Sequence, residues 1–106
     1  MSEALPLPEA VQTMAELRGC IDTLDDQLMG ILAARLAYVD RAAVLKAREG
    51  IAAAAPSRVQ AVVDRVRARA EVTGFDPDIA EAMWRVMIEQ LIAREARVLG
   101  HNGRDA

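Results

Sequence analysis

The sequence predicts an all-α protein, and three observations carry that prediction. Apolar residues recur at steps of three and four in three separate blocks, the spacing of one helix face. The composition is 53% apolar but only 3% aromatic, with six glycines and four prolines, so the core must be aliphatic and helix-favouring. No stretch alternates with the period of two that a half-buried strand requires, and there is no internal repeat and no glycine-rich phosphate loop.

The first helix is expected from about Gln12 to Glu49. Met14, Leu17, Ile21, Leu24, Leu28 and Ile31 form its stripe, which continues through Arg35, Tyr38, Ala42 and Leu45. Gly50 is placed to end it. The second helix opens at Pro56, since proline suits a first helical position. It carries Val59, Val62, Val63 and Val66 and ends before Gly74. The third opens with Asp76-Pro77, an N-cap followed by proline at N1. Its stripe is Ile79, Met83, Trp84, Met87, Ile88, Leu91 and Val98. The linker 50–55, within GIAAAAP, reads as loop.

The length of the first helix sets the expected architecture. A chain of 106 residues suggests a single domain, 1–106, with an ordered core of about 12–100. A helix of some 36 residues spans roughly 54 Å. A compact monomer of this size has a diameter of roughly 33 Å. The stripe runs the whole rod, so something must cover the excess. An intertwined helical homodimer, three helices per chain, is the economical answer. A two-stranded coiled coil competes on the same spacing, but Arg35 and Ala42 interrupt its seam.

Bulk properties remove several function classes. Net charge is −3 and the pI is near 5.1, which argues against nucleic acid as a partner. Cys20 is the sole cysteine, so no intrachain disulfide forms. It reads as a structural thiol. His101 is the sole histidine and lies in the polar stretch HNGRDA, so no His-based metal site or triad is expected. The opening MSEALPLPEA lacks the apolar run of a signal peptide, and no run is long enough to span a bilayer. A cytoplasmic protein with no membrane partner is expected.

Long cations on an apolar stripe need a reason. Arg35 and Lys46 are eleven residues apart, three turns plus about 20°. Arg35, Val39, Ala42 and Lys46 therefore share one line, with Cα atoms of the two cations about 16 Å apart. Such a line can clamp a small ligand with two anionic or polar ends, with Val39 and Ala42 as its floor. The competing reading is snorkelling, stems on apolar surface and heads in water. Arg18 lies about 25 Å from Arg35 along the axis, too far to share a site in its own chain. In an antiparallel dimer the partner's copy could reach it. Arg58 sits near the start of the second helix, where backbone N–H groups favour anions, or is a solvated surface arginine. Arg41, Arg48, Arg65, Arg67 and Arg69 read as solvated faces. Glu95 falls on the apolar stripe of the third helix. Burial of a carboxyl is costly unless it is paired, by Arg94 or an arginine of another helix, or kept neutral to donate a hydrogen bond.

Together LRGCIDTLDDQLMGILAARL, VLKA, PSRVQAVVDRV and GFDPDIAEAMWRVMIEQLIARE resemble the all-helical chorismate mutases. The similarity is nearest to the small branch that includes isochorismate-pyruvate lyases of salicylate biosynthesis. It covers roughly positions 14–99. The resemblance implies an intertwined dimer of three-helix chains, no cofactor and no metal, and a small dicarboxylate substrate. It implies that Arg18 is contributed in trans to hold a carboxylate and that Arg35 holds another. Lys46 would reach the ether oxygen and a carboxylate, and Arg58 would help bind substrate. Glu95 stands where many members have Gln, the second donor to the ether oxygen. Two positions depart from the mutase pattern. Val59 replaces a Glu, as in the lyase-like branch, and Leu91 replaces a polar group one turn before Glu95. The linker offers only backbone groups to the substrate's ring hydroxyl. Chorismate mutase is the expected activity, isochorismate-pyruvate lyase the alternative on the same scaffold. A non-catalytic helical dimer is a third reading, against which the set Arg18, Arg35, Lys46 and Arg58 speaks.

Overall fold

A computed structural model describes residues 4–106 and is all-α, as the periodicity predicts. The first three residues of the opening stretch lie outside the described residues. After a short 3-10 turn at Pro8–Ala10 come α1 (Met14–Glu49), α2 (Pro56–Thr73) and α3 (Pro77–Leu99). No helix is long and apolar enough to cross a membrane.

Local chemistry explains each boundary. α1 starts two residues later than expected, because Thr13 caps it: its Oγ1 accepts from the Glu16 amide at 3.1 Å. Glu16 in turn accepts from the Gln12 amide at 3.3 Å, so two amides at the helix entry have side-chain partners. At the other end Gly50 adopts φ 69°, and the Ile51 amide donates back to the Lys46 carbonyl at 2.9 Å. That is a left-handed glycine closing a Schellman motif. Gly74 repeats the device at the end of α2, with the Phe75 amide on the Ala70 carbonyl at 2.9 Å. Asp76 caps α3, accepting from the amides of Asp78 and Ile79 at 2.8 and 3.2 Å.

The described residues pack as two compact units, one ending at Tyr38 and one beginning at Val39. The first holds the 3-10 turn and the earlier part of α1. Its stripe residues Met14, Ile21, Leu24, Leu28 and Ile31 are each at least 43% exposed, so a single chain leaves this stripe facing water.

The second unit holds the last turns of α1, the linker, α2, α3 and residues 100–106. α2 and α3 pack together around Val63, Ala70 and Ala80, all buried. Small residues at such positions let helix backbones approach closely. Ile79, Met83 and Val98, placed on the α3 stripe by their spacing, are exposed instead.

Two arginines have different surroundings from those expected. Arg67 reads in sequence as a solvated face, but it ties α2 to α3. Its Nη1 reaches Asp78 Oδ1 and Glu81 Oε1, both at 3.0 Å, and donates to the Pro77 carbonyl at 3.3 Å. Glu81 also accepts from Arg85 Nε at 2.7 Å. The Arg85 hydrogen bond, then the Arg67 one, holds the Glu81 carboxyl below the usual carboxylate range. Arg94, a candidate partner for Glu95, instead forms a two-point pair with Asp40, Nε to Oδ1 at 2.9 Å and Nη2 to Oδ2 at 3.0 Å. That hydrogen bonding lowers the Asp40 carboxyl and raises the Arg94 guanidinium from their ordinary values.

Candidate active site

In the second unit, Lys46 and Glu95, the two charged residues that interrupt apolar stripes, meet. They are 49 positions apart in sequence. Lys46 lies in the last turn of α1, and its carbonyl is the acceptor of the Schellman closure at Gly50. Its Nζ lies 3.0 Å from Glu95 Oε2 and donates to Oε1 at 3.3 Å. It also donates to the carbonyl of Ala53 in the linker at 3.2 Å. The side chains are 21% and 7% exposed respectively, so water reaches the ammonium more readily than the carboxylate.

Placing two charges in so dry a position costs desolvation, which the mutual attraction offsets only when hydrogen bonding is good. Here it is incomplete. An ammonium has three donors, and two are directed to Ala53 and Glu95 Oε1. Glu95 Oε2 is enclosed and, despite its ionic contact, lacks a hydrogen bond of good geometry. The ammonium thus lies within 3.3 Å of three oxygens, with good hydrogen-bond geometry to two of them. The pairing of Glu95 by a cation of another helix matches one sequence reading, but the cation is Lys46 rather than an arginine.

The remaining candidates are distributed along the chain as follows. Arg35, in the first unit, is half-buried, and its Nη1 is enclosed without a hydrogen-bond partner. A buried guanidinium nitrogen in that state is costly unless an anion meets it. Arg18 in the first unit and Arg58 in the first turn of α2 are exposed. Val39 and Leu91 are half-buried in the second unit. Among the described residues no group of three or more His, Cys, Asp and Glu is placed to hold a metal ion. A recess of about 430 Å³ lies beside Glu95, between Asp40, Ala43, Val44 and Arg94. Lys46 is not among its walls, so the recess lies to one side of the ion pair.

Sequence reasoning did not single out the Ala53 carbonyl. Four consecutive alanines give no local signal for which backbone oxygen will face a lysine. What Lys46, Glu95 and Ala53 can do chemically is present a cation and a carboxyl side by side to a polar atom of a ligand.

The family model described as chorismate mutase type II matches residues 17–96. The chain is 32% identical over 90 residues to the isochorismate pyruvate lyase of Pseudomonas aeruginosa, covering 85% of this chain and 88% of that one. It is 26% identical over 89 residues to the chorismate mutase of Methanocaldococcus jannaschii, covering 84% and 90%. To the T-protein of Haemophilus influenzae it is 31% identical over 85 residues, 80% of this chain but 22% of the length of that protein.

Proposed function

This chain belongs to the chorismate mutase type II family, and on that premise we propose that it rearranges chorismate to prephenate. The observation that carries the reading is the Lys46–Glu95 contact at 3.0 Å. A concerted rearrangement breaks one C–O bond and forms one C–C bond. It requires no nucleophile, no metal and no net proton transfer. The enzyme must hold the compact conformer and stabilise charge as the C–O bond lengthens.

The residues divide that work. Lys46 opposes negative charge growing on the ether oxygen. Arg35 holds one carboxylate, and its enclosed, unpartnered Nη1 supports that role. Arg18 of a second copy holds the other, and the exposed apolar stripe of α1 supports a homodimer in which it does so. Arg58 helps bind substrate, while Val39 and Leu91 supply apolar wall. Glu95 holds the Lys46 ammonium in place through the ion pair, and a carboxyl there donates to the ether oxygen only as the neutral acid, because an ionised carboxylate repels that oxygen.

A second reading has its own support. Val59 stands where mutases of this family carry a Glu, and the chain is similar along nearly its whole length to an isochorismate pyruvate lyase. Isochorismate is then the substrate, with salicylate and pyruvate as products.

Incubation of the purified protein with chorismate and with isochorismate, following prephenate, salicylate and pyruvate, tests both. Prephenate formation supports the mutase reading and salicylate the lyase reading. Turnover of neither substrate leaves a non-catalytic helical module. The role of Glu95 has a separate signature. Glu95→Gln supplies an amide donor in place of the carboxyl and should turn over at least as fast as wild type, whereas Glu95→Ala should be slower. A Gln variant as slow as the Ala variant overturns the donor role.

A further inference from the structure

The polar stretch HNGRDA falls outside the ordered core expected at about 12–100, but its backbone is tied to the linker. The Arg104 amide donates to the Gly50 carbonyl and its carbonyl accepts from the Ala52 amide, both at 2.8 Å. Residues 51 and 104 thus form an isolated parallel bridge. Arg104 Nε adds a bond to the Glu49 carbonyl, 3.3 Å, at the end of α1. Asp105 accepts from Ser57, from the hydroxyl at 2.8 Å and from the amide at 3.1 Å. The N-cap residue of α2 is Ala55, which has no capping side chain. The carboxylate that serves a free amide of that first turn comes instead from 48 positions away.

Gly103 makes the crossing possible. Its φ is 133°, and a Cβ there would lie 2.5 Å from the Ala52 nitrogen and 2.7 Å from the Ile51 carbonyl carbon. No larger residue fits without moving the linker or residues 103–105, the strap that crosses it. Between the two anchored points, Ala52, Ala53 and Ala55 are buried, at 7%, 3% and 3% exposure. The carbonyl that accepts from Lys46 Nζ belongs to the middle one of these alanines.

We propose that Gly103, Arg104 and Asp105 are positioning residues for the reaction: they hold the linker where the Ala53 carbonyl aims the Lys46 ammonium at Glu95. They touch the catalytic machinery only through the linker. An ammonium on four rotatable bonds has many resting places. The Ala53 carbonyl removes most of them, and the strap keeps that carbonyl in place. In catalytic terms the inference rests on the role proposed for Lys46. The physical link from strap to ammonium does not.

The test uses the full chain with Gly103→Ala, Asp105→Ala and Asp105→Asn, each checked for helix content and thermal unfolding. Amide exchange at Ala52 and Arg104 reads the strap, and the ζ-ammonium nitrogen resonance of Lys46 reads its target. Kinetics use chorismate and isochorismate. In Gly103→Ala both amides should exchange faster, the Lys46 resonance should shift, and kcat should fall about tenfold. KM should change by less than about twofold, since the carboxylate-binding arginines are untouched. Asp105→Ala should act in the same direction, at an exposed position whose loss leaves the helices folded. Asp105→Asn, which keeps an acceptor, should recover most of the loss. A folded variant with faster-exchanging linker amides but wild-type kcat and an unmoved Lys46 resonance overturns the proposal. So do linker amides that keep wild-type protection in both Gly103→Ala and Asp105→Ala. If wild-type protein turns over neither substrate while the Lys46 resonance shifts, the strap holds and the assigned reaction fails.

Discussion

Replacing Lys46 by methionine is expected to lower kcat by about 100- to 1,000-fold, the loss seen when one preorganised donor to a developing oxyanion is removed. Methionine keeps the apolar stem and deletes the charge, so the fold changes little in shape. KM should change less than kcat, because the ammonium interacts most strongly when charge has built up on the ether oxygen. The substitution also strands Glu95, which is 7% exposed. Removing one partner of a buried pair is destabilising by about 3 kcal/mol or more. The 21% exposure of Lys46 puts the value at the lower end here, since water already reaches the pair. The double variant Lys46→Met/Glu95→Gln separates the two effects. It should regain thermal stability, because no carboxylate is left unpaired, yet stay slow. Recovery of rate in the double variant would show that stability, not the missing charge, limits the single one. Wild-type turnover in Lys46→Met would remove the electrostatic role altogether.

Mixing inactive Arg18→Ala chains with inactive Lys46→Met chains is expected to restore roughly a quarter of wild-type activity. Free exchange of equal amounts makes about half of the dimers hybrids. If Arg18 acts in trans, each hybrid has one site with both defects and one with none. If Arg18 acts within its own chain, every site keeps a defect and mixing restores nothing. The readout is turnover after subunit exchange, with hybrids verified by native mass measurement of isotopically distinct chains. Proven hybrids without activity would overturn the trans role. A protein that stays monomeric at assay concentrations would overturn the dimer itself, and the exposed α1 stripe would then need another cover.

Much of the scaffold was legible because its signals are local. Gly50, Gly74, Pro56 and Asp76-Pro77 act within a turn of where they stand, through left-handed backbone, a missing N–H or a capping carboxylate. Thr13 was missed as the α1 cap, and the helix begins at Met14 accordingly. Lys46 and Glu95 were legible as anomalies, charged residues on apolar stripes. The helical period exposes such a mismatch without any tertiary information. Their pairing was not legible. It joins residues 49 apart, and only the packing of α3 against the end of α1 within the second unit decides it. Arg94 was a candidate partner as the nearest arginine in sequence, yet Asp40 takes it.

By itself, then, the amino-acid order determined an all-helical chain, the helix boundaries at Gly50, Pro56, Gly74 and Asp76-Pro77, and which charges stand out of place. Those properties follow from interactions between residues within about a turn of one another, which any chain of this order must carry. The tertiary structure alone decided that Lys46 faces Glu95, that one alanine carbonyl among four receives the ammonium, and that Asp105 caps a helix 48 positions earlier. These are meetings of groups distant along the chain. Their geometry depends on packed volumes and backbone paths, to which no single stretch of sequence has access.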